Sequence, residues 1–536
     1  MQKKISLAIL AFSVTLSLFA QHEFLPLSYD YEMLYSGSIY GKETDLHTSI
    51  KPFRRSEVYP VVNVDSNLQS LRYKGKFWQT WVGRALFSDH FIQVRTKDFD
   101  LSIDPLVDFR LGKEQGSEEY KYQNTKGVYI QGRIGKQVTF MTSFTDNQAR
   151  FQDYVNAFVS RTGVVPGQGD AKVFNTTAWD YRNAFGVVSY TPSKYFNFSL
   201  GQGRVFFGEG HRSTFLGDGT FNYPYFRIET TVWKIKYVNL WTQMLDNRKS
   251  VEVNQAKRKK WISAHYLSYN VNSRLNISLF EAVVYGSDTN NRGIEASFFN
   301  PIILYRPIES SNGSDAANVL LGLGASYKLT DGLMVYGQFT LDELVFGELL
   351  KQPGSWRNKY ATQIGLKYLN ALGLKNLNFR LEYNTIRPYM YQHIRPLTNY
   401  GHFQQPIAHP WGANLSEVVF QTHYRYKRII ADLQFTYGKT GLDTNGSNWG
   451  KNIYLSYYTR EQDDNNEIAQ GLTNTVIYVE ARLAYLLNPS YNLRFELGAV
   501  LRRQSFENPA FSSSNYSKPY LYVGLRTGLF NNYFDF

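Results

Sequence analysis

Apolar and polar residues alternate with a period of two along most of the chain beyond residue 98, as in strands with one apolar and one polar face. Leu377, Phe379, Leu381 and Tyr383 interleave with Asn378, Arg380, Glu382 and Asn384. Leu493, Phe495, Leu497, Ala499 and Leu501 interleave with Arg494, Glu496, Gly498 and Arg502. The same alternation sets Ile477, Val479, Ala481, Leu483 and Tyr485 against Glu480 and Arg482, and Val319 to Tyr327 against Ser326 and Lys328. A soluble sandwich or solenoid with one wet face would alternate equally well. Charged residues on the polar face of so many strands suit lipid outside and a polar lumen inside.

The connections separate these readings. Backwards from the C-terminus, long segments at 504–518, 440–472, 386–415, 342–358 and 286–318 alternate with tight turns at 488–491, 426–429, 371–376 and 330–332. Membrane barrels sort their connections this way, with short periplasmic turns and long external loops, whereas a sandwich has no reason to. Tight turns at 192–195 and 271–274 then place residues 203–225 and 248–260 outside. The stretch 227–244 between those loops must descend and return as two strands, with a turn near 234–236. This parity predicts an all-β transmembrane antiparallel barrel of about 18 strands, the first near 99–111 and the last near 520–529.

Three stretches depart from period two. Lys3 and Lys4 precede an apolar run from Ile5 to Phe19 and the small Ala20, which reads as a signal peptide (residues 1–20) cut before Gln21. Residues 21–97 form an N-terminal periplasmic segment before the barrel (98–536). Within it, Trp78, Trp81, Val82, Leu86 and Phe87 have helical spacing, predicting a helix that packs against or plugs the lumen. Phe151, Tyr154, Val155, Phe158 and Val159 predict a second helix, in an external loop, folded over or into the mouth. Leu521, Val523, Leu525 and Leu529 give the last strand a lipid face, and Phe536 resembles the terminal aromatic read by the barrel-insertion machinery.

Composition sharpens this picture. The 41 Tyr, 37 Phe and 9 Trp suit aromatic girdles at two membrane interfaces. A mean hydropathy of −0.38 is compatible with a barrel, which needs only alternate residues apolar. No stretch of about 18 apolar residues follows the leader, which excludes helical spans. The absence of Cys removes disulfides and thiolate metal sites. A net charge of +13 points to an anionic partner, either lipopolysaccharide phosphates or an acidic polysaccharide. Nucleic acid does not fit an exported chain lacking any binding module.

Several long motifs, in order, resemble those of a known family. GQGRVFFGEGHRSTFLGDG (Gly201 to Gly219), the following YPYFRIETTVWKIKY, FFNPIILYRPIESSNGSDAANVLLGLG (Phe298 to Gly324) and HPWGANLSEVV (His409 to Val419) resemble outer-membrane proteins of Bacteroidetes related to the Wzi capsule-assembly family. The gliding-motility protein RemB belongs to the same group. The resemblance runs from about Trp78 to the end. It implies an 18-stranded barrel, occluded by helices and loops, that acts as a surface lectin helping to attach capsular polysaccharide. The family has no short catalytic signature to transfer.

Holding an acidic polysaccharide takes aromatic platforms and paired donors on external loops. Arg248, Lys249, Lys257, Arg258, Lys259 and Lys260 cluster in one loop, whose plainer role is contact with lipopolysaccharide phosphates or water. Arg387, Tyr389, Tyr391, Arg395, His402, His409 and Trp411 form the richest mixture of rings and donors, whose plainer role is a self-packed loop closing the barrel. His211 and Arg212, near Phe206, Phe207 and Glu209, occupy a Gly-flanked segment that also suits a structural turn. Chemistry has little support: His211 and Ser213 make no triad, and neither a nucleophile elbow nor a zincin motif is present. The acidic residues Glu461, Asp463, Asp464 and Glu467 do not match a calcium loop. Together with the resemblance, these residues predict a non-enzymatic, monomeric barrel of the cell outer membrane, without cofactor or metal, that binds surface polysaccharide either to retain capsule or to support adhesion and gliding. A solute or sugar channel is the alternative.

Overall fold

The computed structural model describes residues 24–536 except 63–67, 69, 74, 253–255, 287–294, 303–304, 306, 308–316, 344–351 and 353. The expected leader, residues 1–20, therefore lies outside the described residues. Eighteen antiparallel strands, from Phe99–Glu114 to Tyr516–Thr527, form a closed barrel. It closes where the last strand pairs with the first, Leu525 opposite Phe109. Two short strands add to this wall: Ile92–Arg95 pairs with Phe99–Glu114, and Ala171–Phe174 with Ala178–Tyr190. The stretch read as two strands is Tyr223–Val232 and Ile235–Asp246, in register from Val232 opposite Ile235 to Tyr225 opposite Thr242.

Period two becomes inside and outside. In the strand Leu377–Ile386, Asn378, Arg380, Glu382 and Asn384 are buried towards the lumen, while Leu381 and Tyr383 are exposed on the outer wall. Leu321, Leu323, Ile364, Leu483, Leu497, Leu521 and Val523 continue the outer apolar surface. Near the tight turns it carries Tyr190, Tyr195, Phe196, Trp233, Tyr327, Tyr426 and Tyr485, an aromatic girdle at the periplasmic interface. No described helix is long and apolar enough to cross a membrane, so the crossing is made by strands. A sealed wall with a continuous lipid-facing surface belongs in the outer membrane.

The lumen is full. Residues 24–62 enter it from the periplasmic side in short helical turns, Tyr29–Glu32, Ser36–Ile39 and Arg55–Val58. The inward cations seen as strand alternation now find partners. Arg482 and Arg494 converge on Asp30. Lys236 reaches Glu57 at 2.7 Å, and Lys328 donates to the Gly41 and Thr44 carbonyls at 3.0 and 2.7 Å. Lys367 binds Tyr40 Oη at 2.7 Å and Glu209 at 3.0 Å. Glu209 lies on the external loop 204–222, which dives inward so that Phe206–Phe207 pairs with Ile50–Lys51 of the plug. Chain entering from both ends thus meets inside the barrel.

Two expectations need correction. The helix Trp81–Phe87 forms, but the lumen is plugged by residues 24–62, and Trp81, Val82 and Leu86 stay exposed. Helical spacing reveals an apolar face without naming its neighbour. The last strand ends at Thr527, and Leu529 is buried in the lumen core rather than facing lipid. The segment 528–536 turns inward, held at its base by Ser28 Oγ donating to the Gly528 carbonyl and the Tyr29 N–H donating to Asn531 Oδ1. It climbs to the mouth, where Phe536 packs 5.0 Å from Phe158, so this aromatic caps no strand end.

Candidate functional site

The predicted mouth helix is Asp153–Thr162. Val155 and Val159 bury against Phe151, Val165 and Tyr181, and Gly163 ends the helix in the left-handed conformation at φ +70°. Asp153 in its first turn suits the helix dipole and is matched by Lys121 at 2.5 Å and Lys518 at 2.6 Å. This packing sets Tyr154, Phe158 and Arg161 over a cavity of about 900 Å³ at the external mouth. Trp411, Tyr454, Tyr516, Tyr533 and Phe536 supply further rings, and Arg248, Lys451 and Arg502 further cations. Arg161, Asn452 and Ser514 are exposed at its rim.

The cations differ in what holds them. Arg248 clamps Asp246 and stacks over Tyr454 at 4.9 Å. Arg502 donates to the Phe536 backbone oxygen at 2.8 Å and lies over Tyr154 at 4.5 Å. Lys451 donates to the Trp411 carbonyl, and burial pushes its ammonium down to about 7 despite the nearby Asp443. The Asp443 carboxylate is itself taken up by the backbone N–H groups of Trp449 and Asn452 at 2.6 and 2.8 Å. Arg161 lies 5.6 Å from the Phe158 ring centre and has no carboxylate partner among the described residues. The basin therefore keeps uncompensated positive charge beside stacking surfaces, which can grip an anionic ring-shaped ligand.

The residues singled out from the sequence fall into three groups. Arg248 and Trp411 line the basin. Trp411 donates from Nε1 to the Asp535 carbonyl at 2.9 Å, and its ring covers Gly438, where an added Cβ would sit 2.6 Å from it. A second group is spent on internal contacts. Arg387 donates to the Asn358 and Ser355 carbonyls, Tyr389 to Asn448 O, and Tyr391 to Thr214 O. His402 accepts from the Leu245 N–H, and burial pushes it down to about 3, so it stays neutral. His409 bonds Glu417 at 2.6 Å and accepts from the Trp411 N–H, and burial again lowers its pKa. Arg212 is enclosed by Glu417 at 3.0 Å and Asp535 at 2.8 Å, and His211 reaches the same aspartate at 3.2 Å. Lys260 is buried and donates to Asn399.

The third group faces outward. Lys249, Lys259 and Arg395 are exposed, Arg258 is half-buried, and Lys257 pairs with Asp170 while lying over Phe403 at 4.3 Å. Ser213 holds its own loop together: its hydroxyl donates to the Phe207 carbonyl and accepts from the Phe215 N–H. Gly210 admits the close passage of Glu382, which accepts from the His211 and Arg212 N–H groups. No cluster of metal-ligating side chains occurs among the described residues.

The basin residues Arg161, Lys451 and Arg502 escaped the sequence reading. They sit on three separate segments, and only Arg161 carried a local signal, one turn beyond Phe158 and Ala157 on the mouth helix.

Fold and mouth together define an internally plugged outer-membrane barrel with a ring-lined, cationic external basin. No protein-family model matches the sequence, and no curated protein matches it. The fold is similar to that of Wzi from Escherichia coli, described as an outer-membrane protein involved in group 1 capsule assembly and a carbohydrate-binding β-barrel. The TM-score is 0.57 with 12% identity, over 94% of this chain and 99% of that one. OprD from Pseudomonas aeruginosa gives a TM-score of 0.40 with 11% identity over 81% and 96% of the two chains. OccAB2 from Acinetobacter baumannii gives 0.42 with 10% identity over 79% and 96%. At these identities the likeness is one of fold.

Proposed function

We propose that this barrel binds surface polysaccharide in the external basin and holds it to the cell, as capsule or in support of adhesion and gliding. The carrying observation is the basin itself, aromatic and in excess positive charge, set over a lumen filled by the plug and the 528–536 segment. Rings offer faces to sugars, and Arg161 offers paired donors to a carboxylate where no carboxylate of the described residues pairs with it. The description of Wzi as a carbohydrate-binding barrel of capsule assembly supports the same reading, as does the resemblance of the Gly201 to Gly219 and His409 to Val419 motifs to that family. The role we propose is one of binding, and among the described residues the Ser213 hydroxyl and the His211 ring are each held by other partners.

The test is polysaccharide retention in a strain lacking the gene and in one carrying Arg161→Ala. Polymer made but shed into the medium in both strains is the expected result. Unchanged retention in the deletion strain removes the attachment role. A steady open current in planar bilayers would favour the channel instead.

A further inference from the structure

The chain leaves the lumen at the periplasmic rim in a way that exposes apolar surface. Leu71 packs inside against Ile430, Ala484 and Leu486. Two residues later Tyr73 hydrogen-bonds at 2.9 Å to the hydroxyl of Tyr485, which stands on the outer, lipid-facing side of its strand. Arg428, beside the tight turn, holds this crossing: its guanidinium lies 3.7 Å from the Tyr73 ring centre and donates to the Leu71 and Phe87 carbonyls.

A helical elbow follows, Lys76–Gln79 and Trp81–Phe87. The turn after strand Leu472–Asn488 pins it from one side. Asn488 donates to the Ala85 and Asp89 carbonyls at 3.0 and 2.9 Å, and Ser490 donates to the Ser88 carbonyl at 2.8 Å. Gly83 lets the two arms close, since a Cβ there would lie 2.3 Å from the Phe77 carbonyl. What the elbow turns away from the barrel is apolar: Phe77 is 55% exposed, Trp81 66%, Val82 47% and Leu86 40%. The surface runs on through Phe91 to Ile92 and Val94, which pair with Ile103 and Leu101 on the outer wall. Four exposed cations border it against two carboxylates: Arg72 and Arg84 flank Asp89, Arg95 lies 3.8 Å from Asp100, and Lys76 stands beside them, so the border is cationic in sum.

We propose that the elbow 76–87 lies in the periplasmic leaflet of the outer membrane, its rings among the phospholipid headgroups and acyl ends and its cations against their phosphates. Three observations select lipid. The apolar face is continuous with the lipid-facing wall, it is tied to Tyr485 of the periplasmic aromatic girdle, and its border is cationic like that of interfacial helices. A contiguous apolar face this rich in rings is not left to water. The elbow then moors the lumen plug, because it is the outer end of the chain that threads the rim at Tyr73.

The chain has no Cys, so a single one can carry a polarity-sensitive fluorophore without background. Val82→Cys and Leu86→Cys are exposed sites that leave the packed side of the elbow intact, and heat-modifiable gel migration confirms the folded barrel. Leu483→Cys on the outer wall is the lipid reference, and Glu118→Cys in an external turn is the aqueous one. In vesicles of phosphatidylethanolamine and phosphatidylglycerol brominated near the headgroup, quenching at positions 82 and 86 is expected within about twofold of that at 483. Quenching no greater than at 118, with access to iodide in water, overturns the proposal. Shielding from both quenchers, the mark of a protein partner on this face, overturns it as well.

Discussion

The two ends of the lumen use the same residue types to opposite effect. Towards the periplasm, most charges are matched, Lys51 with Glu32 at 2.8 Å, Arg54 and Lys236 with Glu57, Arg482 and Arg494 with Asp30, while Lys328 and Arg428 donate to carbonyls. At the external mouth, Arg161 lies over a ring with no carboxylate partner among the described residues, and Lys451 donates to a carbonyl with Asp443 nearby. A buried charge is tolerated when it is paired, and removing one partner leaves the other stranded. An unpaired cation beside aromatic faces adds little to the fold and stays available to an anion. The plug is therefore where charge supports structure, and the basin is where charge is held for a ligand.

Mutations at the two ends should separate these roles. Asp30→Ala breaks two buried ion pairs at once, leaving the fully buried Arg494 with Glu496 alone and Arg482 with Asp432 alone, and should cost about 3–5 kcal/mol in denaturant unfolding. By loosening the plug it should also raise planar-bilayer conductance. A loss near zero would mean that the plug charges are not what fasten it. Next in size, Gly438→Ala pushes the Trp411 ring off its seat and should destabilise by about 1–3 kcal/mol. Its near-ultraviolet circular dichroism and its affinity for glycan should fall together.

Arg161→Ala should leave unfolding within about 0.5 kcal/mol yet weaken binding of an acidic oligosaccharide about tenfold. A stability loss like that of Asp30→Ala would erase the contrast between the two ends. Lys451 adds a pH signature. Its pKa of about 7 lies below the ordinary 10.5, so the folded protein gains this charge only as pH falls through 7. Binding of an anionic glycan should therefore strengthen by a few fold from about pH 8 to about pH 6, and Lys451→Met should flatten the profile. The stability contribution runs the other way: the unfolded chain holds this proton up to 10.5, so stability rises with pH between 7 and 10.5. The smallest effects belong to the exposed Lys249→Ala and Arg395→Ala, each below about twofold in binding. Larger losses there than at Arg161 would move the site from the basin to the outer loops.

Much of the wall was legible beforehand because its rules are local. Alternation in Leu377–Ile386 and the sorting of tight and long connections need only the period of a strand and the two unlike sides of a membrane. Parity even required a turn that no turn residue announces, expected near 234–236 and found one or two residues earlier, between Val232 and Ile235. The mouth helix was legible for the same reason, since Val155 and Val159 recur at helical spacing. The site was less so. Loop 387–414 was rich in rings and donors, but composition does not say which ring faces inward, and Tyr389 and Tyr391 proved to be internal struts.

The sequence by itself determined the strands, their number, the sidedness of their connections, and the cations and carboxylates on their inward faces. Each follows from the chemistry of a short window or from counting crossings. Only the tertiary structure decided what those cations hold. Asp30 meets Arg482 and Arg494 across more than 450 residues of chain, and Phe536 arrives beside Phe158 by a path through the lumen. Such meetings depend on how a filled lumen satisfies every buried charge at once, a condition that no local period encodes.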